Sequence, residues 1–261
     1  MIVHRWPASG VPRAQLFVFH GFGEHGLLPP YVEAGEFFAS QGIDGWSTDF
    51  PGHGRDPRAR GDVPSWEAVR ELIAGLLAQA PTGPPRFLLG VSMGGLAVLD
   101  YALHAPEGLA GVVCLVPPLG RIGMRPWLLK LGLWLSRWAP GFALTLPPDV
   151  TRVTRDEALG REWMRDPLFH TRGTARLLGL ISSVAQDVRG RAAEWRLPLL
   201  LLVGEQDRIC PPDRAFFDAL GGDKQLRVYD GARHHLLMET NREEVRRDIA
   251  KWVLARVPAG R

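Results

Sequence analysis

Cysteine is nearly absent, with only Cys114 and Cys210 in 261 residues. Two thiols cannot build a disulfide framework, so the usage fits a reducing compartment and a cytoplasmic location is expected. Long hydrophobic runs are lacking too. No uninterrupted apolar stretch reaches the ~18 residues of a membrane-spanning helix. The opening residues, Met1-Ile-Val-His-Arg-Trp6, have no signal-peptide core. Charge of one sign is scarce: the net value is +3, too small to point to nucleic acid. No internal repeat occurs. What is present is a balance of 46% hydrophobic and 23% charged residues, that of a soluble globular protein. The length suffices for one large domain with an insertion.

The most informative stretch is Arg86-Phe-Leu-Leu-Gly-Val-Ser-Met-Gly-Gly95. A short apolar run, 87–89, reads as a buried strand. Gly90-x-Ser92-x-Gly94 follows, and then the helix formers 96–99. Strand, sharp turn and helix are the context in which this spacing becomes a nucleophile elbow. Glycine is needed where backbone segments approach too closely for a side chain.

Along the chain, strands are expected near 2–6, 15–20, 43–48, 87–89, 111–116, 199–204 and 225–229. Helices are expected over 31–41, 66–79 and 96–104, over 213–220, and from Asn241, where Glu244 completes a capping-box pattern. Alternation of strands and helices predicts an α/β fold with a mostly parallel central sheet flanked by helices. Residues 117–197 break the pattern. They read as helical, carry 13 basic against 7 acidic residues, and hold 5 of the 9 tryptophans. The expected organisation is a core of residues 1–116 and 198–261 with a helical lid, 117–197, inserted between two strands.

Serine needs a base to take its proton and a carboxylate to orient that base. In a parallel sheet such groups gather on loops beyond the strands' carboxyl ends. Asp207 lies three residues past the apolar strand ending at Gly204. His234 and His235 lie in the loop after 225–229. The order Ser92, Asp207, His234 is that of an α/β-hydrolase triad. Asp213, at the start of the next helix, is the alternative acid. Oxyanion donors are expected from the backbone amides of Met93, at a helix N-terminus, and Phe22, in the loop after His20. His20 and His53 are read as structural.

His20-Gly-Phe-Gly-Glu-His-Gly26, Gly52-His-Gly54, Gly90-Val-Ser-Met-Gly-Gly95, Asp166-Pro-Leu168, Asp207-Arg-Ile-Cys210 and Gly231-Ala-Arg-His-His-Leu-Leu-Met-Glu239 together resemble the monoacylglycerol lipase/lysophospholipase branch of the α/β-hydrolase superfamily, of serine aminopeptidase S33 (hydrolase-4) type. The likeness runs from about residue 15 to 252. Its H-x-L-x-x-E pattern selects His234, with Leu236 and Glu239 in register. The resemblance implies hydrolysis of a carboxylic ester with one long acyl chain, a monoacylglycerol or lysophospholipid, and substrate contacts from Glu24 and His25. Two departures stand out. Leu27-Leu-Pro-Pro30 precedes Tyr31 where the family has arginine, and Asp56 stands where it has serine. The alternatives are a general carboxylesterase on small soluble esters and a non-catalytic ligand-binding protein of this fold. Neither a cofactor nor a metal is expected.

In the insertion Pro126 can open a helix that places Trp127, Leu131, Trp134 and Trp138 on one stripe, edged by Lys130 and Arg137. Such a stripe either packs inward, with Trp127 and Trp134 lining an acyl pocket, or meets a lipid–water interface as a peripheral membrane contact. Cys210 is expected beside the active site and accessible to thiol reagents; Cys114, mid-strand, is expected to be buried and inert.

Overall fold

The computed structural model describes residues 1–120, 123–147 and 149–258. Its strands are β1 (Val3–Trp6), β2 (Ala14–Phe19), β3 (Ile43–Thr48), β4 (Arg86–Val91), β5 (Leu109–Leu115), β6 (Ala143–Thr145), β7 (Arg172–Thr174), β8 (Leu199–Gly204) and β9 (Lys224–Tyr229). Its helices are α1 (Pro29–Ser40), α2 (Trp66–Gln79), α3 (Met93–His104), α4 (Pro126–Trp138), α5 (Val150–Val153), α6 (Glu157–Trp163), α7 (Ala175–Gly190), α8 (Arg214–Ala219) and α9 (Arg242–Leu254). The main sheet runs β1-β3-β2-β4-β5-β8-β9. Only β1 pairs antiparallel, against β3. Every residue of β2, β3 and β8 is buried, as expected of parallel strands covered on both faces.

Two apolar layers flank the sheet. On one face Trp66, Ile73 and Leu76 of α2, Leu96 and Leu99 of α3, and Phe216 of α8 pack together. On the other, Tyr31 and Phe38 of α1 meet Val245 and Ile249 of α9. At roughly 25 cal/mol per Å² of apolar area, these two layers supply most of the driving force for folding.

Helix ends follow their local chemistry, with one exception. Ser65 accepts from the Ala68 amide at α2, and Asp213 from Phe216 at α8. The Pro29-Pro30 pair starts α1 two residues before Tyr31, since proline is preset for the first helical turn. The capping box expected at Asn241 does not form. The Asn241 side-chain oxygen is occupied by Arg155, 3.2 Å away, and its amide turns to Glu244.

Residues 117–197 are not wholly helical as expected: β6 and β7 form a separate antiparallel pair. Leu177, Ala185 and Val188 of α7 join the apolar layer that contains α3. By contrast, α4 has no buried residue. No described helix is long and apolar enough to cross a membrane.

Candidate active site

The turn between β4 and α3 holds Ser92 at φ 52° and ψ −114°, a conformation rare outside glycine. The surroundings compel it. The Ser92 amide donates to Leu115 O of β5 at 2.8 Å, and Ser92 O accepts from Leu96 at 3.0 Å as α3 begins. A Cβ on Gly90 would overlap the Gly94 carbonyl, and one on Gly94 would overlap that of Phe19. Both glycines of the motif are therefore required by close approach.

Three loops converge on this serine. His234, after β9, has Nε2 3.0 Å from Ser92 Oγ and Nδ1 2.8 Å from Asp207 Oδ2. The Asp207 carboxylate turns back on its own loop, Oδ1 accepting from the amides of Ile209 and Cys210 at 2.8 and 2.9 Å. Because Nδ1–H donates to the carboxylate, Nε2 is left to accept from the serine hydroxyl. Asp213 takes no part in this line; it caps α8 and pairs with Arg189 at 3.2 Å.

The loop after β2 lies against the serine, a Cβ built on Gly21 falling 3.5 Å from Ser92 Cβ. His20 is fully buried and holds this loop, Nδ1 donating to Gly21 O at 2.8 Å and Nε2 accepting from the Phe50 amide at 3.0 Å. Burial depresses its pKa, as it does more strongly for His53, whose Nδ1 donates to Pro51 O. The amides of Phe22 and Met93 have no protein acceptor among the described residues, and Met93 opens α3, where orphan donors and the helix dipole both favour an anion.

Of the two substrate contacts expected in this loop, Glu24 lies at the cavity and His25 does not. Burial alone would raise the Glu24 carboxyl. Its neighbour His235, with hydrogen bonds from His235, Tyr31 and the Gly21 amide, outweighs this and draws it down to about 2. Its Oε2 accepts from Gly21 N at 2.8 Å and from the Tyr31 hydroxyl, while Oε1 stands 3.1 Å from His235 Nε2. His235 and Glu24 both reach the cavity wall. His25 does not; its Nε2 lies 3.1 Å from Asp166 Oδ1, tying the loop to the inserted segment. Asp56, where the family has serine, closes its turn by accepting from the amides of Gly52 and Arg58, each at 3.0 Å.

Above the serine opens a cavity of about 660 Å³, roofed by α4, β6 and α7. Leu128, Leu131 and Leu135 of α4 and Leu177, Leu178 and Ile181 of α7 form apolar walls. Trp127 and Trp134 do not line it, a correction to the inward reading. They are 60% and 58% exposed, and Trp138 74%. A helix lying over a cavity presents one apolar side to it and the other to solvent, and sequence periodicity alone does not say which is which. Elsewhere Asp100, His104 and Asp187 form a cluster of metal-ligand type. Arginines already hold it: Arg70 bonds both Asp100 oxygens, at 3.2 and 3.0 Å, and Arg191 lies 3.2 Å from His104 Nε2.

Comparison with known proteins agrees with this architecture. The family model described as Serine aminopeptidase, S33 matches residues 10–241. A monoacylglycerol lipase of Mycolicibacterium smegmatis is 29% identical over 262 residues, covering 96% of this chain and 91% of its own. The crystal structure of the Paleococcus ferrophilus monoacylglycerol lipase superposes with a TM-score of 0.89 at 30% identity, covering 98% of this chain and 100% of that one. An abhydrolase domain-containing protein of Dictyostelium discoideum is 28% identical over 97% of this chain, which spans only 27% of its length.

Cys210 lines the cavity, but it is buried rather than accessible. Burial, with the Asp207 carboxylate beside it, pushes the thiol well above its ordinary pKa. Burial does the same to Cys114. Since the thiolate is the reactive form, N-ethylmaleimide at neutral pH should modify Cys210 roughly tenfold or more slowly than a free small thiol. Inactivation should follow that modification and disappear in Cys210→Ala. Rapid inactivation, or inactivation that survives Cys210→Ala, would contradict this placement.

Proposed function

Since the chain belongs to the Serine aminopeptidase S33 family, we propose that it is a serine hydrolase cleaving carboxylic esters of long acyl chains, monoacylglycerols foremost, through an acyl-enzyme. The observation that carries this reading is the continuous line Asp207–His234–Ser92 at the floor of an apolar cavity. The names of the relatives, monoacylglycerol lipases among them, support the choice of ester.

In this mechanism His234 Nε2 takes the Ser92 proton as Oγ attacks the ester carbonyl. The resulting imidazolium is stabilised by Asp207, whose carboxylate is held ready by two backbone amides. Charge on the carbonyl oxygen is met by the amides of Phe22 and Met93. His234 then returns the proton to the departing alcohol, and water repeats the sequence to release the acid. The acyl chain lies along the leucine walls. The alcohol occupies the part of the cavity lined by Glu24, His235 and Trp163.

A panel of monoacylglycerols and simple alkyl esters, from butanoyl to octadecanoyl, tests this reading. The kcat/KM should rise with acyl length and be higher for glycerol esters. Ser92→Ala should lower kcat by roughly 10⁴-fold, because triad members act as a unit. A preference for short simple esters would favour a general carboxylesterase. Substantial hydrolysis by folded Ser92→Ala would remove the serine mechanism altogether.

The residues 117–197 act in this reading as a lid, and α4 docks peripherally on an anionic lipid surface. Trp127, Trp134 and Trp138 are exposed, and Lys130 and Arg137 flank them along the helix. An interfacial helix needs an apolar face edged by cations. The adjoining side of the same helix, Leu128, Leu131 and Leu135, lines the cavity, so docking would bring the cavity close to the lipid surface that holds its substrate. Co-sedimentation should show weak, salt-sensitive binding to anionic vesicles. It should fall in Trp134→Ser combined with Trp138→Ser, with hydrolysis of a soluble short ester within about twofold of wild type. Absence of vesicle binding, or an equal loss on the soluble ester, would contradict docking.

A further inference from the structure

The two hydrogen bonds of the His234 ring fix its tilt, but not the position of the loop that carries it. That loop, residues 230–241, is gripped by a short piece of the inserted segment just after α5. The His235 amide donates to Val153 O at 2.8 Å. Thr154 Oγ1 donates to Met238 O, and Arg233 Nη1 to Thr154 O, each at 2.8 Å. At the centre is Glu239, which is fully buried. Its Oε1 accepts from the Arg233 amide at 2.7 Å, the residue immediately before His234, and its Oε2 accepts from Arg155 Nε at 2.8 Å. The Arg155 fork then reaches both ends of the loop, Asp230 O at 3.4 Å and Asn241 Oδ1 at 3.2 Å.

We infer that Arg155 and Glu239 are positioning residues for His234, so that the insertion contributes to the chemical step as well as covering the cavity. This rests on the reading of His234 as general base. A guanidinium fork suits this role because its donors are rigid and planar, and can span a carboxylate, a carbonyl and an amide oxygen at once. A buried carboxylate deprived of its cation is costly and relaxes toward other donors. Here the nearest backbone to move is that of Arg233 and His234. A shift of about 1 Å between base and nucleophile is enough to cost on the order of 10²-fold in rate. The substrate, which lies on the far side of Ser92 along the leucine walls, makes no use of either residue: neither lines the cavity.

The test is a double-mutant cycle with a soluble short ester. Arg155→Met and Glu239→Gln should each lower kcat by about tenfold or more with KM within about twofold, and Arg155→Lys should fall between Arg155→Met and wild type. In a His234→Ala background the same substitutions should cost less than about twofold, since a residue that acts only through an imidazole has nothing left to position. A structural role would cost the same factor in both backgrounds, and that result would overturn the inference. So would raised KM at unchanged kcat. Arg155 is about one-third exposed (32% of its side chain), so Arg155→Met carries the test if Glu239→Gln fails to fold. Full activity of His234→Ala alone would remove the base, and the clamp with it. A normal His234→Ala loss with additive clamp losses would remove only the clamp.

Discussion

A serine at φ 52° is held there against its own preference, at a cost of roughly 1–3 kcal/mol. Everything else in the site is arranged around that constraint. The β4 strand ends where it does because Gly90 and Gly94 admit no side chain, and α3 starts at once beneath the hydroxyl. The neighbouring strand takes part as well: β5 supplies the carbonyl that fixes the Ser92 amide, and Val116 immediately after it also has a positive φ, 46°. For a β-branched residue that is unusual, and it marks the point where the chain leaves the sheet for the inserted segment. Strain is thus concentrated at Ser92 and Val116, and the apolar layers of the sheet hold it in place.

Burial then sorts the titratable groups. His20, His53 and His170 cluster beneath Phe22, with ring centroids 5.5 and 5.0 Å apart, and burial lowers the pKa of each. They act as neutral hydrogen-bonding wedges that shape the loop after β2. Glu24 is the opposite case, a carboxylate kept charged in the interior by His235, Tyr31 and a backbone amide. The cavity above is lined by leucines, so the few polar groups at its floor operate in a medium of low dielectric, where each charge–dipole interaction is stronger than in water.

Much of this was legible in the sequence, for definable reasons. The buried runs of β2, β4 and β8 are short, apolar and bounded by glycine. Each is followed by the residue that matters, in the loop where a parallel sheet presents functional groups: Phe22, Ser92 and Asp207. The choice of His234 over His235 came from the resemblance and agrees with which ring meets Asp207. Other features depend on long-range partners and were not legible. The orientation of α4 is one, since both of its sides are apolar. The β6–β7 pair is another, because three-residue strands carry no periodic signal. The Asn241 cap fails because Arg155, 86 residues earlier, takes its oxygen. The engagement of Glu24 by His235 likewise joins loops more than 200 positions apart.

Everything proposed for the site requires that this strained serine, activated through His234 and Asp207, be the nucleophile facing a long apolar cavity. Peptide mapping by mass spectrometry after treatment with a long-chain alkyl fluorophosphonate tests that requirement most directly. The expected result is one adduct per chain, on the peptide carrying Ser92, forming faster than with a short-chain analogue and greatly slowed in His234→Ala. An adduct on another residue, or no adduct on folded protein, would contradict it.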